Sequence, residues 1–123
     1  MRAALGRFAL AMTLASAASA LTVLASPPAW AEADVKTVRL WKAKCASCHG
    51  VDGKAKTETG EKLSIPDMTS AAWQKKVGEP QMKVAILDGV KREGKPEGMD
   101  GFREKLSPEQ VDALVALVRD LGK

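Results

Sequence analysis

The sequence predicts an all-α domain built from short helices. Three observations support this: no segment alternates apolar and polar residues for long enough to be a strand, apolar residues near the C-terminus recur at helical spacing, and that segment starts with a capping motif. The chain has 123 residues. Without its N-terminal segment it is too short to divide, so one domain is expected.

The C-terminal segment is the clearest helix. Ser107 is its expected N-cap, Pro108 suits the first turn, and Gln110 completes a capping box three residues after the cap. Gly122 ends the segment. Its apolar stripe consists of Val111, Leu114, Val115, Val118 and Leu121. In so small a domain this face must find a partner, and we expect it to pack across the first helix near Trp41.

Three earlier helices are expected, separated by two loops. The helices run from about Asp34 into the 45–49 segment, from Thr69 or Ser70 to about Val77, and from about Pro80 to Gly89. In the first, Val38, Trp41 and Cys45 share one stripe. Residues 50–65 and 90–105 are rich in glycine and charge, so both are predicted to be loops.

The segment Cys45-Ala46-Ser47-Cys48-His49 contains both cysteines and the sole histidine of the chain. Each thiol can add to a haem vinyl group, and the adjacent imidazole can reach the iron from the same turn. This C-x-x-C-H spacing is the signature of covalent c-type haem attachment. We therefore expect one haem c, anchored by Cys45 and Cys48 and ligated by His49, with electron transfer as the reaction class.

Three other interpretations of the motif stay open. A thioredoxin-like redox pair needs a preceding strand, whereas residues 33–44 have helical spacing. A structural zinc site needs four ligands, and Cys45, Cys48 and His49 are three. A disulfide would leave His49 without a role.

The N-terminus has the layout of an export signal. It starts with two basic residues, Arg2 and Arg7, followed by an apolar run at residues 8–25. Pro27 and Pro28 then break any helix, and Ala29-Trp30-Ala31 supplies an A-x-A cleavage site. We expect a signal peptide at 1–31, a domain at 32–123 and a periplasmic location. The alternative is an uncleaved membrane anchor. Without Arg2 and Arg7, 17 basic residues face 15 acidic ones, so a net charge near +2 gives no reason to expect nucleic-acid binding.

With one histidine, a second axial ligand must come from another residue type. Met82 lies on the buried stripe of a predicted helix, and Met68 lies beside a helix start, so both are expected to be packing residues. Met99 lies between Gly98 and Gly101, where a flexible backbone can approach a flat cofactor. We expect Met99 to ligate the iron. A six-coordinate iron favours a carrier, and no enzymatic activity is expected.

These motifs together resemble a small bacterial class I cytochrome c. The resemblance covers residues 41–50, residues 65–69 and the C-terminal helix. It implies an all-α cytochrome c fold of three to five short helices, with the N- and C-terminal helices crossing and one haem edge-on in a crevice. It also implies that the Pro66 carbonyl accepts a hydrogen bond from the second ring N–H of His49, which would fix the orientation of the ring.

The sequence departs from this family in two places. Members commonly have Met-Pro where this chain has Met99-Asp100, which affects the rigidity of the ligand loop. They often have an aromatic residue at the position of Leu117, and this chain has no tyrosine. Trp41 on the first helix is the expected replacement in packing.

Basic residues occur in the loop after the C-x-x-C-H motif and in the loop before Met99. If both loops frame the exposed edge of the haem, these residues form a positive collar around it. This positive collar consists of Lys54, Lys56, Lys62, Lys91, Arg92 and Lys95, with glutamates interleaved. It would steer acidic partners, although an ordinary solvated surface explains it equally well.

We expect a monomeric one-electron carrier with transient redox protein partners. The alternatives are a haem subunit docked to an exported dehydrogenase or oxidase, and an open-haem sensor or peroxidase.

Overall fold

The structure is a computed structural model that describes residues 34–123, and the predicted signal peptide at 1–31 lies outside these residues. The described part of the chain forms six helices and one two-stranded antiparallel ribbon. The helices are α1 (Val35–Lys44), α2 (Ala46–His49), α3 (Glu58–Lys62), α4 (Ala71–Lys76), α5 (Glu79–Asp88) and α6 (Pro108–Leu121), and the strands are β1 (Val90–Arg92) and β2 (Lys95–Met99). The helix-dominated fold confirms the predicted class.

The caps predicted for the two terminal helices are present. The Asp34 carboxylate accepts from the Lys36 backbone N–H at 3.2 Å and starts α1. At α6, Ser107 Oγ accepts from the Gln110 N–H at 3.3 Å, and Gln110 Oε1 accepts from the Ser107 N–H at 2.9 Å. Because each side chain satisfies a backbone donor that the helix leaves free, both starting points are determined locally.

The core lies where α6 crosses α1. Trp41 packs with residues of the α6 stripe and with two methionines, and the buried cluster consists of Trp41, Met68, Met82, Leu114, Val115 and Val118. Leu114 is only 2% exposed. The predicted packing of α6 near Trp41 is therefore confirmed, and Leu117 packs against the edge of the same cluster.

A partly buried polar cluster joins α4 to α6. Gln74 Nε2 donates to the carbonyls of Met68 at 2.7 Å and Val118 at 2.9 Å. The Arg119 guanidinium donates to the Gln74 carbonyl at 2.7 Å and to the Val77 carbonyl at 2.8 Å. These bonds satisfy carbonyls at the ends of three segments and fix α4 against the core.

Two predicted loops contain regular structure, so those predictions were wrong in part. Residues 50–65 include α3, a helix of 5 residues, which is too short to show an apolar period. Residues 90–105 include a hairpin in which Val90 pairs with Met99 and Arg92 with Lys95. It is named here the ligand hairpin (residues 90–99), after the ligand role predicted for Met99. Its strands are mostly exposed, so no buried face imposes alternation. The two one-turn helices α2 and α3 also raise the number of helices above the predicted three to five.

Among residues 34–123, no helix is both long and apolar enough to cross a bilayer.

Candidate haem site

The C-x-x-C-H motif forms a single helical turn directly after α1. Cys45 leaves helical geometry at φ −120° and ψ −38°, while its N–H still donates to the Trp41 carbonyl at 2.8 Å. The N–H of His49 donates to the Cys45 carbonyl at 2.9 Å. Residues i, i+3 and i+4 lie on one face of a helix, so this turn gives Cys45, Cys48 and His49 a common side. Both thiols are free and half-buried.

The carbonyls at the end of this turn are bound by residues from elsewhere in the chain. Thr57 Oγ1 donates to the Cys48 carbonyl at 2.8 Å, and the Ala55 N–H donates to the His49 carbonyl at 2.8 Å. The indole Nε1 of Trp41 donates to the Gly50 carbonyl at 3.1 Å. Carbonyls at a helix C-terminus lack partners within the helix, and these three donors satisfy carbonyls of that kind. They hold the backbone of the motif in place.

Gly60 allows α3 to approach the motif closely. A methyl group at this position would overlap the Ala55 carbonyl oxygen and lie 2.8 Å from that of Cys48. The Gly60 N–H also donates to Thr57 Oγ1 at 2.9 Å, so Thr57 caps α3 and binds α2 with the same hydroxyl. Sequence reasoning missed Thr57, Ala55 and Gly60. A Thr cap before Glu58 is a local signal for α3, but nothing local indicates the contact with Cys48.

His49 is half-buried, and its Nδ1 atom is buried without a hydrogen-bond partner in the protein. Burial lowers the pKa of His49 below its ordinary value of 6.5. Burial thus favours the neutral imidazole, which is the form that binds a metal. The ring of Trp41 lies 6.0 Å from it, centroid to centroid.

The structure does not contain the hydrogen bond implied between His49 and the Pro66 carbonyl. Pro66 is exposed, and the neighbouring backbone is tied elsewhere: the Ile65 N–H donates to Gly60 at 2.9 Å, and the Met68 N–H donates to Gly53 at 3.1 Å. The role of Pro66 stays a prediction. Buried polar atoms in folded proteins nearly always have a hydrogen-bond partner. A buried ring nitrogen without one, such as Nδ1 of His49, is typical of a site that binds a water, an ion or a cofactor.

The environment of the thiols argues against a redox-active pair. Burial, and secondarily the neighbouring Cys48, raises the pKa of Cys45 to about 11. Reactive C-x-x-C pairs have a lowered thiol pKa, and a thioredoxin-like pair follows a strand, whereas this pair follows α1. The zinc alternative also lacks support, because residues 34–123 contain no group of three Cys, His, Asp or Glu side chains placed to share a metal ion.

The three methionines of the described chain have different environments. Met68 and Met82 are 7% and 5% exposed and belong to the core, as the sequence predicted for packing residues. Met99 is half-buried and ends β2 opposite Val90.

The glycines around Met99 make close contacts with the backbone of the protein itself. Gly98 lies directly against the Val90 carbonyl, and Gly101 lies against the Leu87 carbonyl, with no room for a Cβ at either position. The described contacts of these glycines are therefore between one backbone and another within the protein.

The residues present fit a covalently bound haem. Two free thiols three residues apart and a neutral imidazole with an unpartnered buried nitrogen form the donor set that c-type haem uses. The fold supplies a rigid turn for these donors.

Comparison with known proteins agrees with this site. The family model for cytochrome c matches residues 35–122. The solved structure of the KustC0563 c-type cytochrome is 39% identical, with a TM-score of 0.62 over 71% of this chain and 98% of that one. A mutant of Kustc0563 is also 39% identical, with a TM-score of 0.58 over 71% and 99% of the two chains. Comparison with curated proteins gave no match.

The chain belongs to the cytochrome c family. It is a small class I member that carries covalently bound haem c and transfers electrons, and Cys45, Cys48 and His49 form its attachment motif. The interpretation of the motif as a haem site is confirmed.

Proposed function

We propose that the protein is an exported one-electron carrier whose haem iron is held between His49 and Met99. The observation that carries this proposal is the contrast between the methionines. Met68 and Met82 are committed to the core of the described chain, whereas Met99 is half-buried at the end of the ligand hairpin. A thioether ligand opposite a histidine raises the potential of the iron and leaves no position for peroxide or oxygen. Such a protein carries electrons and has no enzymatic activity.

The motif side of the site suits rapid transfer in both directions. When bound, haem c supplies the one-electron couple of its iron. Cys45 and Cys48 would anchor it, and the neutral His49 would present a lone pair to the iron. The donors on the Cys48, His49 and Gly50 carbonyls hold the turn that carries His49. A rigid ligand turn changes little between oxidation states, so little reorganisation is needed.

Export is supported by the signal-like segment at 1–31. The mature chain should begin at Glu32 and be recovered from the periplasm after osmotic shock, with its N-terminus read by mass spectrometry. Recovery from membranes alone, with residues 1–31 attached, would support the anchored alternative.

The partners are proposed to be redox proteins that bind transiently, as small interfaces allow. The positive collar would favour acidic surfaces. A carrier should elute alone at moderate salt and as a monomer. A haem subunit of a dehydrogenase or oxidase would instead co-purify with its enzyme.

Substitution of Met99 tests the ligand assignment. The oxidised wild type should show the weak sulfur-to-iron charge-transfer band in the far red, and Met99→Ala should abolish it, lower the potential and open the iron to added ligands. Met68→Leu and Met82→Leu are the controls, because near volume-conserving swaps in a core usually cost less than about 1.5 kcal/mol. Both should retain the band.

Two results would contradict the assignment. Loss of the band in Met68→Leu with retention in Met99→Ala would identify the other sulfur as ligand. A wild type that lacks the band and binds carbon monoxide rapidly when ferrous would be an open-haem sensor or peroxidase.

A further inference from the structure

The ligand hairpin is attached to the domain at two separated places. At its base, the segment after Met99 is bound to the end of α5: the Phe102 N–H donates to the Ile86 carbonyl at 2.9 Å, and the Arg103 N–H donates to the Leu87 carbonyl at 3.1 Å. Near its turn, the hairpin contacts the C-terminal end of α3. The base fixes the position of the end of the hairpin that joins the domain. The second attachment restrains movement of its turn relative to α3.

The second attachment consists of two contacts, one from each strand. The Arg92 guanidinium of β1 donates to the Leu63 carbonyl, and Lys62 Nζ lies 3.3 Å from Glu97 Oε1 on β2. Leu63 is the residue that ends α3, so its carbonyl is among those that a helix leaves unsatisfied. A guanidinium is well suited to such a carbonyl because it brings a charge-assisted hydrogen bond to the negative end of the helix.

The two contacts differ in strength. The side chains of Lys62 and Glu97 are 68% and 53% exposed, and a solvated ion pair of this kind contributes little. Arg92 is half-buried, and its bond to Leu63 is partly shielded from water. Arg92 is therefore the main tether.

This tether connects the two sides of the haem site. α3 is bound to the motif through Thr57, whose hydroxyl donates to the Cys48 carbonyl at 2.8 Å. The hairpin is bound to α3 through Arg92, which lies two residues along β1 from Val90, the partner of Met99. Met99 is followed by Asp100 and not by a proline that would fix the backbone, so stiffness must come from another source.

We propose that Arg92 is a positioning residue: by tying the ligand hairpin to the end of α3, it keeps Met99 in place as the iron ligand. The proposal rests on the proposed ligation by Met99. Arg92 does not touch the iron, and its effect is on the fraction of molecules in which Met99 has left it.

The affinity of the ferric holoprotein for added imidazole measures that fraction. Imidazole binds only when Met99 is displaced, so its apparent Kd falls in proportion as the displaced state becomes more populated. For Arg92→Gln we expect a Kd about tenfold lower than in the wild type, as an approximately tenfold larger open population would produce. Arg92→Lys, which restores a cationic donor, should recover most of the difference. Lys95→Gln removes the same charge from the cross-strand neighbour and should stay within about twofold of the wild type.

A thermal readout complements this measurement. In Arg92→Gln the far-red charge-transfer band should disappear at a lower temperature than the helical circular dichroism signal, whereas in the wild type the two should be closer together. An unchanged Kd in Arg92→Gln, or the same fall in Lys95→Gln, would overturn the proposal.

Met99→Ala separates this proposal from the ligation on which it rests. If it binds imidazole no more tightly than the wild type, Met99 is not the ligand, and the positioning role falls with it. If it binds far more tightly while Arg92→Gln matches the wild type, Met99 ligates and Arg92 alone is misassigned. Should Arg92→Gln fail to fold, hydrogen exchange of the wild type decides: a tethered hairpin should protect its amides, and exchange of these amides at the rate of an unstructured peptide would refute the tether.

Discussion

The motif and the hairpin that carries Met99, the two sides of the proposed haem site, are built differently. On the motif side (residues 45–63), the end of α2 binds donors from α1 and from the loop before α3, and Gly60 brings α3 into direct contact with its backbone. On the hairpin side (residues 90–99), most residues are exposed. The described attachments are a hydrogen-bonded, glycine-packed base, the Arg92 tether and the exposed ion pair between Lys62 and Glu97. The motif side is therefore held by many contacts, whereas the hairpin is exposed and held by few.

This difference indicates where the holoprotein opens first. Local opening favours segments with few buried contacts and exposed backbone hydrogen bonds. The hairpin satisfies that description, and the motif side does not. With the proposed ligation by Met99, release of Met99 from the iron should therefore precede any loosening of His49. Substitutions on the motif side should act on global stability, and substitutions on the hairpin should act mainly on ligand exchange.

The largest effect is expected at Gly60. Gly60→Ala places a methyl group against the Ala55 and Cys48 carbonyls, so α3 must move, at a cost of about 3 kcal/mol, the upper end for overpacking. Gly94→Ala is the matched control on the hairpin. Gly94 has a φ of +70° but open space around it, so a cost of about 1 kcal/mol is expected from the left-handed backbone alone. Denaturant unfolding of the holoproteins measures both, and equal costs would remove the contrast between the two sides.

A smaller loss is expected when the Thr57 hydroxyl is removed. Thr57→Val keeps the shape but removes both the cap on Gly60 and the donor to the Cys48 carbonyl, at a cost of about 2 kcal/mol. Thr57→Ser retains the hydroxyl and should recover most of the loss. The comparison uses urea midpoints at constant m-value. If Thr57→Ser is as unstable as Thr57→Val, the methyl group rather than the hydrogen bonds stabilises α3.

The smallest effect is expected at Ser64, which links the two sides after α3. Ser64 has a φ of +51°, a left-handed conformation that asparagine tolerates better than serine does. Ser64→Asn should stabilise the protein by about 0.5 kcal/mol, and Ser64→Ala should not. Thermal unfolding in parallel would show the difference. A lower midpoint for Ser64→Asn would mean that the serine hydroxyl contributes more than the backbone costs.

What the sequence by itself determined is local. The C-x-x-C-H spacing identified covalent haem because it lies within one helical turn, and the caps at Asp34 and Ser107 located α1 and α6 because each cap binds the backbone within three residues. The apolar stripe of α6 predicted its contact with Trp41, because a chain this small has few other surfaces on which to bury it. These features depend on neighbours along the chain, which a sequence displays directly.

Only the tertiary structure decided the parts that join distant segments. The hydroxyl of Thr57 on Cys48 spans 9 residues, Arg92 on Leu63 spans 29, and Arg119 on Gln74 spans 45. In each case a side chain binds a backbone carbonyl, and a carbonyl is present at every residue, so no pattern of side chains shows which one is chosen. The ligand hairpin was missed for a related reason. Its strands lack a buried face, so their pairing depends on backbone hydrogen bonds and glycine contacts that leave no apolar period in the sequence.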